Sequence, residues 1–357
     1  MKNNYQIELE EFLEIVGKHN ASDLHFTVGK RPAIRIDGKL TELTKYPVLT
    51  SEHTAGLIYA LLSEEQKQKL FTDKEIDFSY SYKEKARFRV NVFFQRGYLS
   101  AALRFLPPKI RTVKELNLPS IVEKFASHSQ GFFLVVGPTG HGKTTTLAAL
   151  IDYINHHFAK HVVTIEDPIE YIFDQDKSII DQREVGNDTK SFARALRSAL
   201  RQDPDVIMVG EMRDLETIST ALTAAETGHL VLATLHTNNA PQTIDRIIDS
   251  FPAEAKNQVR AQLAATLLGV VSQRLVPQVN GGRIPAVEVM IANSAVRNLI
   301  REGKIYQIDL VIETSTEEGM ISLNRSLADL VHKGEISLEN AEIYSLSPSD
   351  LRMLLGK

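Results

Sequence analysis

The sequence contains no cysteine. This absence excludes disulfides, thiolate zinc sites and thiol catalysis, and it fits a reducing compartment. No apolar run approaches the roughly 18 residues of a membrane span. The acidic, amphipathic start over residues 1–20 lacks the apolar stretch of a signal peptide. We therefore expect a cytoplasmic protein without direct membrane insertion, whose contact with a membrane is made through a partner.

The sequence also lacks a surplus of basic residues. It has 41 Lys and Arg against 45 Asp and Glu, for a net charge of -4. Binding of nucleic acid by counterion release needs a positive surface, so we expect no nucleic-acid partner. The 43% hydrophobic and 24% charged residues are typical of globular proteins and exclude disordered, collagen-like and coiled-coil chains. At 357 residues, two or three domains are expected.

The first third of the chain predicts a small α+β domain. Apolar residues at helical spacing occupy residues 9–16. Strand-like runs that indicate an antiparallel sheet follow at 76–82, 87–94 and 98–105. Pro107 and Pro108 then interrupt the periodicity. We place an N-terminal domain at residues 1–107 and a linker at 108–119.

From Phe132 onward, short apolar strands alternate with helices, which predicts a parallel sheet covered on both faces. The predicted strands are 132–136, 161–165, 206–209 and 230–234. The predicted helices are 144–156, 191–201, 215–227 and 241–268. A hairpin is expected around residues 280–282, and helices near 293–302, 305–313, 322–333 and 337–345 follow it. We place an α/β core at 120–290 and a C-terminal helical region at 291–357.

The segment GPTGHGKT, from Gly137 to Thr144, matches the GxxxxGK[ST] phosphate-binding pattern between a predicted strand and a predicted helix. In this pattern backbone N–H groups face the phosphates, Lys143 reaches the β and γ phosphates, and the Thr144 hydroxyl ligates Mg²⁺. The residues assigned to nucleotide binding are Gly137, Pro138, Thr139, Gly140, His141, Gly142, Lys143, Thr144 and Thr145. A glycine-rich turn matched by chance is the alternative, and the strand–loop–helix order disfavours it. The His141 side chain is expected to be structural.

Two acidic clusters follow the second and third predicted strands, at residues 166–170 and 210–214. Ligands of an open α/β sheet bind at the carboxyl ends of its strands. Hydrolysis of ATP needs a metal-side carboxylate, a group that orients water, and positive charge. A single acidic residue at such a position is as readily a helix cap or a surface charge. The two clusters together favour catalysis.

Two histidines, His229 and His236, bracket the fourth predicted strand. At roughly 3.3 Å per residue they lie about 23 Å apart, so they do not share a metal. His236, at the carboxyl end, is the candidate sensor of the γ-phosphate. The alternative is a histidine with a purely structural role, whose ring nitrogens are hydrogen-bonded within the fold.

Four segments resemble the four boxes of the type II/IV secretion ATPases, in the same order: GPTGHGKTT, VVTIEDPIEY, LRQDPDVIMVGEMRD and TAAETGHLVLATLHT. ASDLHFTVG and AVRNLIRE look like the type IV pilus retraction ATPases in particular. The resemblance covers residues 20 to about 335. It implies a hexameric motor ATPase with an N-terminal PAS-like domain and a RecA-like P-loop domain. It further implies action at the cytoplasmic face of the inner membrane, on a pilus platform protein, in pilus retraction and twitching motility.

The resemblance also implies roles for individual residues. Glu211 matches the metal-side carboxylate, which with Thr144 holds Mg²⁺, Glu211 acting through water. Glu170 matches the catalytic glutamate of the acidic box. His229 and His236 match the histidine box.

Arginines of the N-terminal sheet reach a nucleotide bound in the ring of the family, and Arg89 and Arg104 are the matching positions. Arg111 is a third candidate. His141 departs from the usual Ser of the family loop, and Val296 departs from the usual Ile of the late segment. Neither change removes a group that the chemistry needs.

The late segment predicts an amphipathic helix. Val296, Leu299 and Ile300 share its apolar face, and Arg297 and Arg301 are expected mainly on other faces. We expect this helix to couple nucleotide-driven motion to the pilus machinery, with an ordinary solvated helix as the alternative.

The sequence leaves four alternative functions to distinguish. A PilU-like accessory retraction ATPase shares all four boxes. Pilus assembly and type II secretion ATPases carry an extra N-terminal domain and commonly a four-cysteine zinc insertion, neither of which is expected here. A RecA-like nucleic-acid translocase would use a basic patch at Lys83, Lys85, Arg87 and Arg89. A nucleotide-gated scaffold would lack a catalytic carboxylate, whereas the sequence supplies two.

Overall fold

The computed structural model describes residues 4–19, 21–36, 38–83, 86–106 and 109–356. The chain divides into two compact units. The first comprises Met1–Lys109 and Pro168–Ile172, and the second comprises Ile110–Asp167 and Phe173–Lys357. The two linker prolines named above, Pro107 and Pro108, lie outside the described residues. Within the described ranges, no helix is both long enough and apolar enough to span a membrane.

The first unit contains an antiparallel six-stranded sheet with the order β3-β2-β1-β6-β5-β4. Its strands are β1 (Asp23–Phe26), β2 (Ala33–Ile36), β3 (Lys39–Glu42), β4 (Glu75–Tyr82), β5 (Ala86–Gln95) and β6 (Tyr98–Leu106). Its helices are α1 (Asn4–Lys18), α2 (Ser51–Tyr59) and α3 (Glu64–Asp73). The apolar stripe predicted in α1 is fully buried in the core of this unit.

The second unit is built on a seven-stranded sheet with the order β13-β12-β7-β11-β10-β8-β9. Its strands are β7 (Gly131–Val136), β8 (His161–Glu166), β9 (Ile179–Glu184), β10 (Val206–Val209), β11 (Leu230–Leu235), β12 (Leu267–Pro277) and β13 (Arg283–Ile291). All neighbours are parallel except the β12–β13 hairpin. Every residue of β7, β10 and β11 is buried, which explains their continuous apolar sequences. The predicted strands and hairpin are confirmed, whereas β9 was not predicted.

The helices of the second unit are α4 (Ile121–Ala126), α5 (Lys143–His157), α6 (Phe192–Ala199), α7 (Leu215–Glu226), α8 (Ala240–Asp249), α9 (Lys256–Thr266), α10 (Ser294–Glu302), α11 (Ile308–Thr314), α12 (Leu323–His332), α13 (Leu338–Tyr344) and α14 (Pro348–Leu354). The single helix predicted over 241–268 is wrong, because α8 and α9 are separate helices. Pro252 follows α8, and proline disfavours helical backbone at the residue before it. The chain then makes a short 3-10 turn at Ala253–Ala255 before α9 begins.

The C-terminal helices pack on the β12–β13 hairpin. Leu323 and Leu327 of α12 and Leu351 of α14 form a small core with Val276 and Ile284 of the two strands. These helices therefore belong to the second unit, where they share a small second core with the β12–β13 hairpin. The predicted fold class is confirmed: α/β, with an N-terminal α+β domain, a P-loop core and a C-terminal helical extension.

Helix α10 holds the late segment AVRNLIRE. Val296 and Ile300 are fully buried and Leu299 is partly buried against the same core, as the spacing predicts. Arg297 lies off this apolar stripe, as expected, but its guanidinium is not simply solvated. It donates to Ala292 O and to the carbonyls of Ala264, Ala265 and Leu267 at the end of α9. The last carbonyls of a helix lack intrahelical donors and therefore attract a cation. Arg301 is exposed and donates to Asn298.

Candidate nucleotide site

The loop of residues 137–142 connects the end of β7 to the start of α5. Gly142 precedes the helix with a left-handed backbone of φ 84°, and Gly137 has φ 147°. L-residues with a side chain rarely adopt either conformation. The first N–H groups of α5 have no intrahelical acceptor and carry the positive end of the helix dipole, which attracts phosphate.

Lys143 is buried, with 8% of its surface exposed. Its Nζ atom donates to Gly137 O and to Pro138 O, at 2.9 Å each. It also lies 3.3 Å from His236 Nδ1. The ammonium is thus held under the loop by neutral acceptors, which a charged phosphate oxygen can replace.

The other assigned loop residues differ in their exposure. Thr139 and Gly140 are exposed, whereas Pro138, Thr144 and Thr145 are half-buried. Thr139 Oγ1 lies 3.4 Å from His236 Nδ1. Thr144 and Thr145 lie in the first turn of α5.

His236 follows β11 and links the phosphate loop to the acidic cluster that follows β10. Its Nδ1 atom faces the Lys143 ammonium, and its Nε2 atom lies 3.0 Å from Glu211 Oε1. An ammonium has only protons to donate, so Nδ1 accepts and Nε2–H donates to the carboxylate. His236 therefore bridges Lys143 and Glu211 within one hydrogen-bonded chain.

Glu211 lies just beyond β10, at the carboxyl end of the parallel sheet. Burial by itself would raise the pKa of Glu211, but the hydrogen bond from Arg213 and the proximity of His236 hold the pKa below its ordinary value. Arg213 Nη2 donates to Glu211 Oε2 at 2.8 Å. The carboxylate is therefore ionised at neutral pH, as a cation site requires.

His229 lies at the opposite end of β11 from His236. Its Nδ1 atom is 3.0 Å from Ala224 O and 3.4 Å from Thr227 Oγ1, at the carboxyl end of α7. The structure therefore brings His236, and not His229, to the cluster of Lys143 and Glu211. A role of His229 in the reaction stays a prediction.

His141 is tied to β12 by both its backbone and its ring. Leu275 N–H donates to His141 Nδ1 at 2.9 Å, and the ring stands edge-on to Tyr344 at 6.2 Å. Burial and the nearby charges of Arg274, Arg283 and Lys143 lower the pKa of His141. A neutral ring that accepts a backbone N–H serves an anchoring function.

The acidic segment after β8 divides between the two units. Glu166, 3% exposed, accepts hydrogen bonds from Thr164 Oγ1 at 2.7 Å and from Gln182 Nε2 at 3.2 Å. Glu170 lies in Pro168–Ile172, which belongs to the first unit. Within that unit Arg87 Nε donates to Ile169 O at 2.9 Å. The catalytic role of Glu170 stays a prediction.

Arg89 and Arg104 are direct cross-strand neighbours on β5 and β6 of the first unit. Arg104 pairs in turn with Asp23, where Arg104 Nε lies 3.0 Å from Asp23 Oδ1. Asp23 also lies 3.7 Å from Arg35 Nε. Asp23 is the cross-strand neighbour of both Arg35 and Arg104, so its carboxylate offsets part of the like charge in this row. A role of Arg89 and Arg104 at the nucleotide stays a prediction. Arg111 is exposed and belongs to the second unit, outside this sheet.

The basic run considered for nucleic acid is largely engaged within the first unit. Lys83 Nζ lies 3.3 Å from Glu14 Oε1 and 4.5 Å from the centroid of the Tyr82 ring. Arg87 donates to Ser79 Oγ at 2.6 Å. Lys85 lies outside the described residues. These contacts give Lys83 and Arg87 structural roles within the first unit.

A metal site built from protein ligands alone is not evident in the described part of the chain. No group of three or more His, Cys, Asp or Glu side chains is arranged there to hold an ion. Mg²⁺ in nucleotide sites is held by one or two protein oxygens together with phosphates and water. The Glu211 carboxylate and the Thr144 hydroxyl at the start of α5 supply the kinds of oxygen that such an ion takes.

Sequence reasoning missed Gln273, whose side chain contacts both the loop and α5. Gln273 Nε2 donates to His141 O at 2.8 Å, and its Oε1 accepts from Thr146 Oγ1 at 2.8 Å. No local pattern marks it, because it lies more than a hundred residues from the loop and in a strand whose pairing with β7 was not predicted.

Comparisons with known proteins agree with this architecture. The family model described as "Type II/IV secretion system protein" matches residues 4–281. The type IV pilus retractation ATPase PilT of Pseudomonas aeruginosa is 47% identical over 344 residues, which cover 96% of this chain and all of the relative. The type IV pilus ATPase PilU of the same species is 41% identical over 350 residues, covering 98% of this chain and 91% of the relative.

A solved structure is similar over nearly the whole chain. It is described as the crystal structure of the pilus retraction motor PilT with bound ADP, and it has a TM-score of 0.90, 50% identity, and coverage of 96% of this chain and 98% of that one. Together with the relatives it confirms the predictions of an ATPase of the pilus retraction type that uses a nucleotide. The chain belongs to the type II/IV secretion system protein family.

Proposed function

We propose that this chain is a motor ATPase that hydrolyses ATP with Mg²⁺ to power type IV pilus retraction and twitching motility. The observation that carries the proposal is the hydrogen-bonded chain from Lys143 through His236 to Glu211, at the carboxyl ends of the parallel strands. A buried cation, a bridging imidazole and an ionised carboxylate converge where an α/β sheet binds its ligands. The similarity to a retraction ATPase over 96% of the chain supports the biological assignment.

Each residue of this cluster has a distinct proposed role. Lys143 exchanges the carbonyls of the loop for oxygens of the β and γ phosphates, because an anion is a stronger acceptor than a neutral carbonyl. Thr144 and Glu211 hold Mg²⁺, Glu211 through water. His236 responds to the γ-phosphate, since its Nδ1 loses its donor when Lys143 turns to the phosphate.

Glu170 is proposed as the general base that orients and deprotonates the attacking water. A carboxylate suits this role because ATP hydrolysis needs a proton acceptor at the water. The structure assigns Glu170 to the first unit, and the resemblance to the family's acidic box supports its role. Substitution of Glu170 with Gln should separate nucleotide binding from hydrolysis. Binding depends on the loop, whereas proton transfer depends on the carboxylate.

We propose that the working form is a homohexamer at the cytoplasmic face of the inner membrane, acting on a pilus platform protein. Arg89 and Arg104 supply positive charge to a nucleotide shared between subunits. Support comes from their cross-strand pairing, which places two like charges side by side on one face of the sheet. Two like charges side by side destabilise the sheet, but the same positive charge would stabilise the anion that develops on the phosphate during hydrolysis.

ATP turnover and retraction in cells test the proposal together. The purified full chain should hydrolyse ATP, and its gene should restore twitching to a strain that lacks its retraction ATPase. Lys143→Ala should lower kcat by about 10² or more, because one cation to a developing anion contributes that much. Lys160→Ala is the matched control, since Lys160 is a partly exposed lysine of the same unit that pairs with Asp205.

The PilU-like alternative predicts a different result in the same experiment. An accessory ATPase would turn over ATP slowly by itself and would restore twitching only beside a second retraction ATPase. Restoration in a strain without any other retraction ATPase therefore excludes it. Absence of ATP turnover under all conditions would reject the proposed function itself.

A further inference from the structure

Strand β12 contacts the phosphate loop through one buried side chain. Gln273 is 3% exposed, and its Nε2 atom donates to His141 O at 2.8 Å. Its Oε1 atom accepts from the Thr146 hydroxyl at 2.8 Å. The hydroxyl is a donor toward the amide oxygen, so it fixes the amide with its NH₂ group toward the loop. Gln273 thus joins the tip of the loop to helix α5.

The two glycines at the ends of the loop lie directly against the same residue. A Cβ atom on Gly137 would come within 2.5 Å of Gln273 O, and one on Gly142 would come within 2.8 Å of Gln273 Nε2. Both distances are shorter than atoms tolerate. At both ends the loop therefore lies directly against Gln273 of β12, in space that only glycine leaves open.

The hydrogen bond to His141 O has a consequence for the neighbouring N–H group. A trans peptide is planar, and its C=O and N–H bonds point in opposite directions. The carbonyl of His141 and the N–H of Gly142 belong to one peptide. Because Gln273 holds this carbonyl toward β12, the N–H of Gly142 is held away from β12. A phosphate loop binds its anion through N–H groups held in this way.

A second contact anchors the same peptide. Leu275 N–H, also from β12, donates to His141 Nδ1 at 2.9 Å. The His141 ring therefore holds the loop from one side of the peptide while Gln273 holds the carbonyl. Arg283 adds a weaker contact to Gly140 O at 3.4 Å.

We propose that Gln273 is a positioning residue for the nucleotide phosphates, acting through the His141–Gly142 peptide. The inference rests on the proposed function, because it assigns the loop to ATP and ADP. Gln273 does not touch the phosphates. It sets the direction of the N–H that does.

The test measures the binding of ADP and of AMP to the full chain, with a fluorescent ADP analogue and competition by unlabelled nucleotide. Gln273→Met keeps the size of the side chain and removes both hydrogen bonds. Gln278→Met is the matched control, since Gln278 lies just beyond β12 and donates to Glu335 rather than to the loop. Thr146→Val removes only the hydroxyl that orients the amide.

Gln273→Met should weaken ADP binding about tenfold, since two buried hydrogen bonds are lost, and should weaken AMP binding much less, because AMP lacks the β-phosphate. Thr146→Val should weaken ADP binding in the same selective way by a few-fold. The double variant should be no worse than Gln273→Met, because the two residues form one bridge. Gln278→Met should bind both nucleotides as the unsubstituted chain does.

Unchanged ADP affinity in Gln273→Met, or equal losses for ADP and AMP, would overturn the inference. If the Gln273→Met chain does not fold, the Thr146→Val chain provides the test. An AMP-to-ADP affinity ratio in Thr146→Val equal to that of the unsubstituted chain then counts against the inference. Failure of the unsubstituted chain to bind ADP would instead reject the proposed function. The two failures are therefore distinguishable.

Discussion

Arg297 offers a quantitative test of how the late segment AVRNLIRE is held. Its guanidinium donates to the carbonyls of Ala292, Ala264, Ala265 and Leu267, at 2.7, 2.5, 2.8 and 2.8 Å respectively. Three of these carbonyls belong to residues at or just after the last turn of α9. Arg297 thus fastens α10 to the carboxyl end of α9, where a cation is favoured by the helix dipole.

The expected cost of losing this side chain follows from these contacts. A hydrogen bond to a charged group contributes about 1.5–3 kcal/mol. The four bonds share one guanidinium, and water replaces part of them because the site is only partly buried, so their contributions do not add. We expect Arg297→Ala to lower the free energy of unfolding by about 3 kcal/mol. For a unit of this size that corresponds to a fall in Tm of about 6–12 °C.

Thermal unfolding of the full chain checks this value, with Arg301→Ala as the matched control from the same helix. Arg301 is exposed, so its loss should change stability by less than about 0.5 kcal/mol. Arg297→Lys should restore only part of the loss, because an ammonium does not reproduce the planar fork of the guanidinium. Equal Tm values for the Arg297→Ala and Arg301→Ala chains would refute the reasoning.

Three further predictions concern the reaction and the core. Glu170→Gln should keep ADP affinity within about twofold while lowering kcat by about 10² or more, measured by phosphate release, because the loop binds and the carboxylate accepts the proton. Inactive Arg104→Ala and inactive Glu170→Gln chains, when mixed, should recover measurable ATPase activity if Arg104 acts on a neighbouring subunit; a mixture as inactive as its parts contradicts a shared site. Burial raises the pKa of Glu288 to about 7, so the native state keeps a proton that the unfolded state loses, and stability should fall as pH rises from about 4.5 to 7. Glu288→Gln should remove this fall in Tm across the pH range, and an identical pH profile in both chains would contradict the assignment.

The nucleotide loop could be predicted from the sequence because its requirements are local. Gly137, Gly142 and Lys143 satisfy a spacing that backbone geometry alone imposes, and the flanking strand and helix are long enough to be recognised from their pattern. The position of His236 was predicted for a similar reason, since a residue just beyond a buried strand must lie at the edge of the sheet. Local rules therefore identified the cation and the imidazole.

Contacts between distant segments could not be predicted in this way. The helical spacing of α10 identified Val296 and Ile300 as buried, but it carried no information about the carbonyls that α9 presents to Arg297. In the same way nothing near Gln273 in the sequence indicates that it faces the phosphate loop. Such contacts depend on which strand pairs with which, and the β12–β7 pairing joins segments more than a hundred residues apart.

The geometry around His236 supports its proposed role as a sensor of the γ-phosphate. While Lys143 donates to Nδ1, that nitrogen is occupied as an acceptor and the ring donates to Glu211 through Nε2. In the proposed role, a γ-phosphate that draws the ammonium toward itself removes the donor to Nδ1 and lets the ring turn toward the phosphate. Such a turn would alter the hydrogen bond to Glu211, the carboxylate proposed to hold the metal. In the proposed mechanism, one imidazole ring therefore connects phosphate binding at the loop to the carboxylate on the metal side.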